Sequence, residues 1–279
     1  MMAAFFTTSA DYVYQKSLEV FDPYNSHTYW QNLSGKARSN DEVFFNVLSP
    51  AGFYALDRNR EDPHWSYALT WDPVIEPSDS WKSRIEAAAQ SHKRVWIVLY
   101  RGLAGSNGDL RGWMDSRWYP ADAMWGEEEV FYGLYGMYQQ PLQDVITTST
   151  HWRMPDGFDL ELRQAAIAPS MPAGSIVPVG LIWQANNVLK HDYKIFVHAF
   201  DENDALIAQH DAQPLNDLRP MTSLPVGKPV DDHHGLALPA TFRGKLRIVL
   251  GLYEAQSGQR IAADNGKEEI DLGEVLITP

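Results

Sequence analysis

Asp231-Asp232-His233-His234 is the densest group of metal-ligating and proton-transferring side chains in this 279-residue sequence. Successive side chains on a strand point to opposite faces, so Asp231 falls with His233 and Asp232 with His234. Asp231 and His233 form a candidate metal pair. Zinc takes at least about three protein ligands and calcium about six to eight oxygens, so further ligands would have to come from elsewhere. The same four residues also fit a polar loop entering Leu236 to Pro239. A second candidate is the G-x-x-G-x-x-G run of Gly102, Gly105 and Gly108, whose backbone amides could hold an anion. It lacks the close glycine pair of a dinucleotide site and reads first as a surface turn. Glu127-Glu128-Glu129 could supply an acid, but paired carboxylates must face each other across a cleft, and an acidic run at a strand start reads as a solvated edge. The sequence holds no His-Glu-x-x-His, G-x-S-x-G or G-x-x-x-x-G-K-[ST] motif. The strongest signals for zinc proteases, α/β-hydrolases and P-loop enzymes are therefore missing, no catalytic set is recognisable, and no cofactor is expected.

The elements that would position a site differ between the two halves. Asn25 to Ala37 carries a helical stripe of Tyr29, Trp30, Leu33 and Ala37, followed by an apolar strand at Glu42 to Leu48. Ser66 to Trp71 reads as a strand, Ser78 caps a helix with Trp81, Ile85, Ala88 and Ala89 on one face, and Val95 to Tyr100 is a buried strand. Asp109 to Trp118 reads as a third helix and Glu129 to Tyr138 as an aromatic strand. This alternation predicts a layered α/β, Rossmann-like domain with a mostly parallel sheet over residues 10–140. Ligands in such sheets favour the carboxyl ends of the strands. Trp71, Asp72, Tyr100 and Arg101 are accordingly the candidate ligand-binding residues: Arg101 could pair an anion, and Trp71 or Tyr100 could stack on a sugar face. The aromatics fit equally well as packing between sheet and helices.

Beyond a linker at residues 141–156 the pattern changes to short alternating strands. Tyr193, Ile195, Val197 and Ala199 share one face against Lys194, Phe196, His198 and Phe200, and Asp201 to Asp204 supplies a turn before the returning strand. Leu246 to Ile261 repeats the hairpin. At least seven strands over residues 157–279 predict an antiparallel β-sandwich of immunoglobulin-like or jelly-roll-like type.

Composition narrows the partners. With 23 Lys and Arg against 36 Asp and Glu, the net charge of −13 argues against a nucleic-acid partner, which needs a basic footprint. There is no cysteine, hence no disulfide framework. Met1 to Phe6 is apolar but far shorter than the about 20 residues that span a bilayer, and reads as a frayed terminus or the last turn of a longer hydrophobic helix. The 10 Trp, 13 Tyr and 11 Phe are compatible with carbohydrate stacking and equally with core or interface.

The segments EVFFNV, HWSYALTW and SHKRVWIVLYRG, followed by YKIFVHAFDENDALIAQHD, PVDDHHGLALP and LRIVLGLYEAQSGQRI, resemble a known architecture. They are similar to the soluble C-terminal region of bacterial multi-spanning membrane glycosyltransferases, protein-mannosyltransferase-like and dependent on polyprenyl-phosphate sugars. One departure is that Thr222-Ser223 runs into Leu224-Pro225, where the family-like module often has a Trp. The resemblance implies a non-catalytic accessory region on the extracytoplasmic face, joined to the membrane through a parent segment. It implies contact with acceptor glycan, a lipid-linked sugar or a partner, with the catalytic acid on a membrane loop outside this sequence. The alternative is a stand-alone carbohydrate-binding protein or carbohydrate-active enzyme, its site at the strand ends or the domain junction.

Overall fold

The computed structural model describes residues 33, 35–45, 78–91, 93–100, 109–125, 130–146, 149–154 and 157–279. Four strands form the first sheet: β1 (Glu42–Phe45), β2 (Arg94–Tyr100), β3 (Tyr119–Trp125) and β4 (Val130–Gly136), in the order β1-β2-β4-β3. Two helices, α1 (Ser78–Ser91) and α2 (Asp109–Asp115), cover one face. Ile85 and Ala89 of α1 and Met114 of α2 pack there on Val95, Ile97, Leu99, Phe131 and Tyr135. The other face carries Val43, Trp96, Val98, Tyr132 and Leu134 against Leu33, Ala37 and Ile176. β2 is thus buried on both faces, which is why its RVWIVLY run is nearly all apolar.

The expected layered α/β domain with a mostly parallel, Rossmann-like sheet is overturned. Among the described strands of this sheet only β1 and β2 pair in parallel, whereas β4 runs antiparallel to both β2 and β3. The chain is β-rich, with antiparallel and mixed sheets throughout. The physical reason lies in β2 and β3. An apolar run buried on two faces looks the same whether its neighbours are parallel or antiparallel. Tyr119–Trp125, with Pro120 and Asp122 in it, lacks the β-branched signature of a strand, yet it forms one arm of a hairpin. Pro120 is tolerated because β3 is an edge strand with a register shift beside that proline.

Two further sheets follow. One is ordered β12-β9-β7-β5, from β5 (Gln143–Ile146), β7 (Asp159–Ile167), β9 (Ile176–Ala185) and β12 (Pro229–Ala237), with β6 (Thr150–Arg153) also on β7. The other is ordered β11-β10-β13-β15-β8, from β8 (Ser170–Pro172), β10 (Tyr193–Phe200), β11 (Leu206–Ala212), β13 (Gly244–Glu254) and β15 (Ile270–Thr278), with β14 (Arg260–Ile261) on β13. Residues 141–156 therefore hold β5 and β6, both paired to β7. One core joins the two sheets, drawing Leu160, Leu162, Val177 and Trp183 from the first and Ile195, Val197, Leu246, Ile248 and Leu272 from the second. Among the described residues no helix is long and apolar enough to cross a membrane.

The sheet unit docks onto the sandwich where β3 crosses β12. Gly235 makes this approach possible: a Cβ there would stand 2.6 Å from the Tyr119 carbonyl oxygen and 2.7 Å from the Ile176 side chain. Gly136 does the same against Ile176, where an added Cβ would meet it at 2.7 Å. Arg38 fastens the same seam by donating to the backbone carbonyls of Gly174 and, at 2.7 Å, Leu238.

Candidate functional site

β12 alternates as its sequence requires, with Val230, Asp232 and His234 turned into the protein and Asp231 exposed. Asp232 and His234 are fully buried, beside His210 of β11 at 7% exposure. Asp232 is held on both oxygens: Oδ1 accepts from the Leu215 amide at 2.8 Å, and Oδ2 accepts from Trp183 Nε1 at 3.2 Å and His234 Nε2 at 3.1 Å. Since His234 donates through Nε2, its Nδ1 is the acceptor that faces the His210 Nδ1–H at 2.9 Å. Burial works to raise the Asp232 pKa, but its interaction with His234 and the hydrogen bond from the Leu215 amide outweigh it and hold the carboxyl below its ordinary value. Burial, with His234 alongside, pushes His210 down to about 3, so its ring is neutral.

A second buried group meets this one from the sheet unit. Asp115 of α2 accepts from the Tyr135 hydroxyl at 2.7 Å, with Arg111 Nε 3.5 Å from its other oxygen. Burial raises the Asp115 pKa to about 7 against the opposing pull of Arg111 and Tyr135. Arg111 lies 4.3 Å over the Phe131 ring and donates across the junction to the Asn216 carbonyl. The Asp232, His234 and His210 line has the form of a proton relay, yet all its members are sealed from solvent. Its work is to fix β12, β11 and the 213–217 turn in one arrangement and to present a rigid strand to β3.

Above this seam are two adjoining clefts, of about 420 and 480 Å³, which share Ala89, Gln90, Tyr138, Gln139 and Gln140. The first is completed by Lys93 and by Met171, Ser170, Ser175 and Ile176 of the sandwich, the second by Glu86, Arg117, Trp118 and Tyr119. Its walls are stitched together. Gln139 donates to the Ala89 carbonyl at 3.0 Å and accepts from Gln90 at 3.3 Å, while the Met137 amide bonds the Lys93 carbonyl at 2.9 Å. Tyr138 stands edge-on to Tyr119, ring centroids 6.5 Å apart. Tyr119 in turn lies 5.0 Å from the His233 ring, linking the trough to the strand beneath it.

Of the residues expected to form a site, Trp71, Asp72 and Arg101 lie outside the described residues, as do Gly102, Gly105, Gly108 and the Glu127 to Glu129 run. Tyr100 ends β2 opposite Val130 of β4. Asp231 and His233 occupy the outer face of β12, paired in register with Ile182 and Gly180. His233 is packed against Tyr119 and bonded to the Asp115 backbone, and burial is the main cause of its lowered pKa. No group of three or more His, Asp or Glu side chains among the described residues is arranged to hold a metal. The cleft residues Gln90, Gln139 and Gln140 carry no motif. Their one signal is a polar Gln-Gln step directly after the aromatic strand.

No family model and no curated protein matches this chain. Among solved structures it is similar to a glycosyl hydrolase family 2 member from Bacteroides cellulosilyticus DSM 14838, with 15% identity and a TM-score of 0.27. The match covers 57% of this chain and 18% of that one, and a likeness at this score carries no argument about function.

Proposed function

We propose that this chain is a non-catalytic, glycan-contacting region of a membrane glycosyltransferase-like protein, held at the extracytoplasmic face through a parent segment, with the trough at the sheet–sandwich junction as its contact surface. One observation carries the reading: the open surface and the buried cluster of aspartates and histidines are separated. The trough offers planar amides, hydroxyls and the Tyr138 ring, whereas Asp232, His234, His210 and Asp115 are buried and line neither cleft. Amides and aromatic rings recognise saccharide hydroxyls and ring faces without reacting with them. The trough volumes fall in the range of about 300–1,000 Å³ typical of small-ligand sites.

The test is a titration of the ¹⁵N-labelled chain with neutral and charged saccharides, with Tyr138→Ala as the variant. Saturable shifts confined to residues 89–93 and 137–140, weakened in the variant, are expected. Shifts elsewhere, or none, would overturn the assignment. The membrane parent is tested by fractionating the native source with an antibody to this chain. A pelleting band much larger than 31.6 kDa is expected. A soluble band near that mass would favour a stand-alone carbohydrate-binding protein.

A further inference from the structure

The charge of the first cleft is at odds with that of the protein. The chain carries 13 more acidic than basic side chains, yet the described residues lining this cleft include Lys93 and no Asp or Glu. Lys93 is exposed and lines the cleft, and its backbone carbonyl accepts from the Met137 amide at 2.9 Å. The neighbouring cleft does hold a carboxylate, Glu86, but Arg117 Nη2 is 3.4 Å from it and balances it. Among the described lining residues, one cation beside hydroxyl-bonding amides and no carboxylate selects a ligand that combines a negative charge with several hydroxyls. Gln139 is oriented by its bonds to Ala89 and Gln90, which leaves Gln140, Ser170 and Ser175 as further polar lining. Met137, Met171, Pro172 and Ile176 supply an apolar floor for a ring face.

We infer that this cleft binds an anionic saccharide, its carboxylate or phosphate on Lys93 and its hydroxyls on the Gln90, Gln139 and Gln140 side. The inference rests on the reading of the trough as a glycan contact and adds the charge of the ligand to it. A carboxylate and a phosphate satisfy the same lysine, and separate titrations distinguish them.

The full chain is titrated by calorimetry and by ¹⁵N shifts with glucuronate, glucose 6-phosphate, methyl glucoside, acetate and inorganic phosphate, at low and at physiological salt. At least one of the two acidic sugars is expected to bind about tenfold or more tighter than methyl glucoside, the scale of one charge-assisted hydrogen bond. Lys93→Gln should abolish that preference, Lys93→Arg should restore most of it, and added salt should reduce it. Lys267→Gln, on an exposed turn, should change nothing. Equal binding of methyl glucoside and the acidic sugars would overturn the inference while leaving the glycan contact standing. Acetate or inorganic phosphate binding as tightly as the sugars would overturn it too, because the ring would then contribute nothing. Failure of every saccharide to shift residues 89–93 and 137–140 would overturn both readings.

Discussion

Replacing Asp232 by Asn keeps the shape of a fully buried side chain and changes only what its atoms can accept. The amide oxygen can still take the Leu215 N–H, now 2.8 Å away. The new NH₂ would replace Oδ2, which at present accepts from Trp183 Nε1 and His234 Nε2. His234 can answer by moving its proton to Nδ1, but that places two N–H groups in the 2.9 Å space shared with His210 unless His210 also changes tautomer. Trp183 has no such option, because an indole nitrogen only donates. One buried donor is lost outright, at about 1–3 kcal/mol, and the charge-assisted bonds fall to neutral strength, roughly 1 kcal/mol more. Asp232→Asn should therefore destabilise the fold by about 2–4 kcal/mol. Asp231→Asn, next along the strand but exposed, should stay within about 0.5 kcal/mol. Urea unfolding at pH 7 followed by tryptophan fluorescence is the assay, since the buried Trp183 and Trp152 rings lie 5.8 Å apart and report on this core. Imidazole ¹⁵N shifts give the second readout, with both histidines changing tautomer in the variant. A loss below about 1 kcal/mol, or equal effects at positions 231 and 232, would refute the assigned hydrogen bonding.

Other perturbations probe the seam and the sheet. Gly235→Ala puts a methyl 2.6 Å from the Tyr119 carbonyl oxygen, where backbone must give way; a loss of about 1–3 kcal/mol is expected, measured as a lowered urea midpoint. His210 has a folded pKa of about 3, well below its unfolded value of about 6.5, so its contribution is fully present above pH 6.5 and falls as pH drops toward 3. His210→Phe should remove up to about 1.4 kcal/mol per pH unit of acid-side slope between pH 6.5 and 4, and parallel stability curves would contradict this. In the first sheet Arg94 Nε lies 2.8 Å from Asp41, both nearly sealed, and Trp96 Nε1 donates to the same carboxylate at 2.9 Å. Arg94→Met should cost about 3–5 kcal/mol by leaving a buried anion, and adding Asp41→Leu should recover part of that loss; a double-mutant cycle in urea decides it.

Some of this was legible in the residues and some was not. The alternation of Tyr193 to Phe200 and of Asp231 to His234 states which side chains share a face, because the strand period is independent of context. It cannot state which face is buried when both carry charge, and in β12 the inner face holds Asp232 and His234 only because Trp183, Leu215 and His210 arrive from distant segments to bond them. The direction of the first sheet was hidden for a related reason. β2 is apolar because helices cover one side and Leu33, Ala37 and Ile176 the other, and that burial carries no information about strand polarity. β3 escaped notice because Pro120, Ala121 and Asp122 interrupt it, while its position is secured by β4 and by contact with Gly235 of another sheet. The trough is assembled from α1, the segment after β4 and the β8–β9 turn, so only the folded chain places its amides together.

β12 gives its inner side chains to the sandwich core and its outer side, through Gly235 and His233, to the first sheet. The chain is consequently indivisible at this seam. A sandwich expressed alone from residue 141 would uncover Ile176 and the β12 outer face, and would strand Asn216 without Arg111. The two units should therefore melt in a single transition, each serving as part of the other's interior.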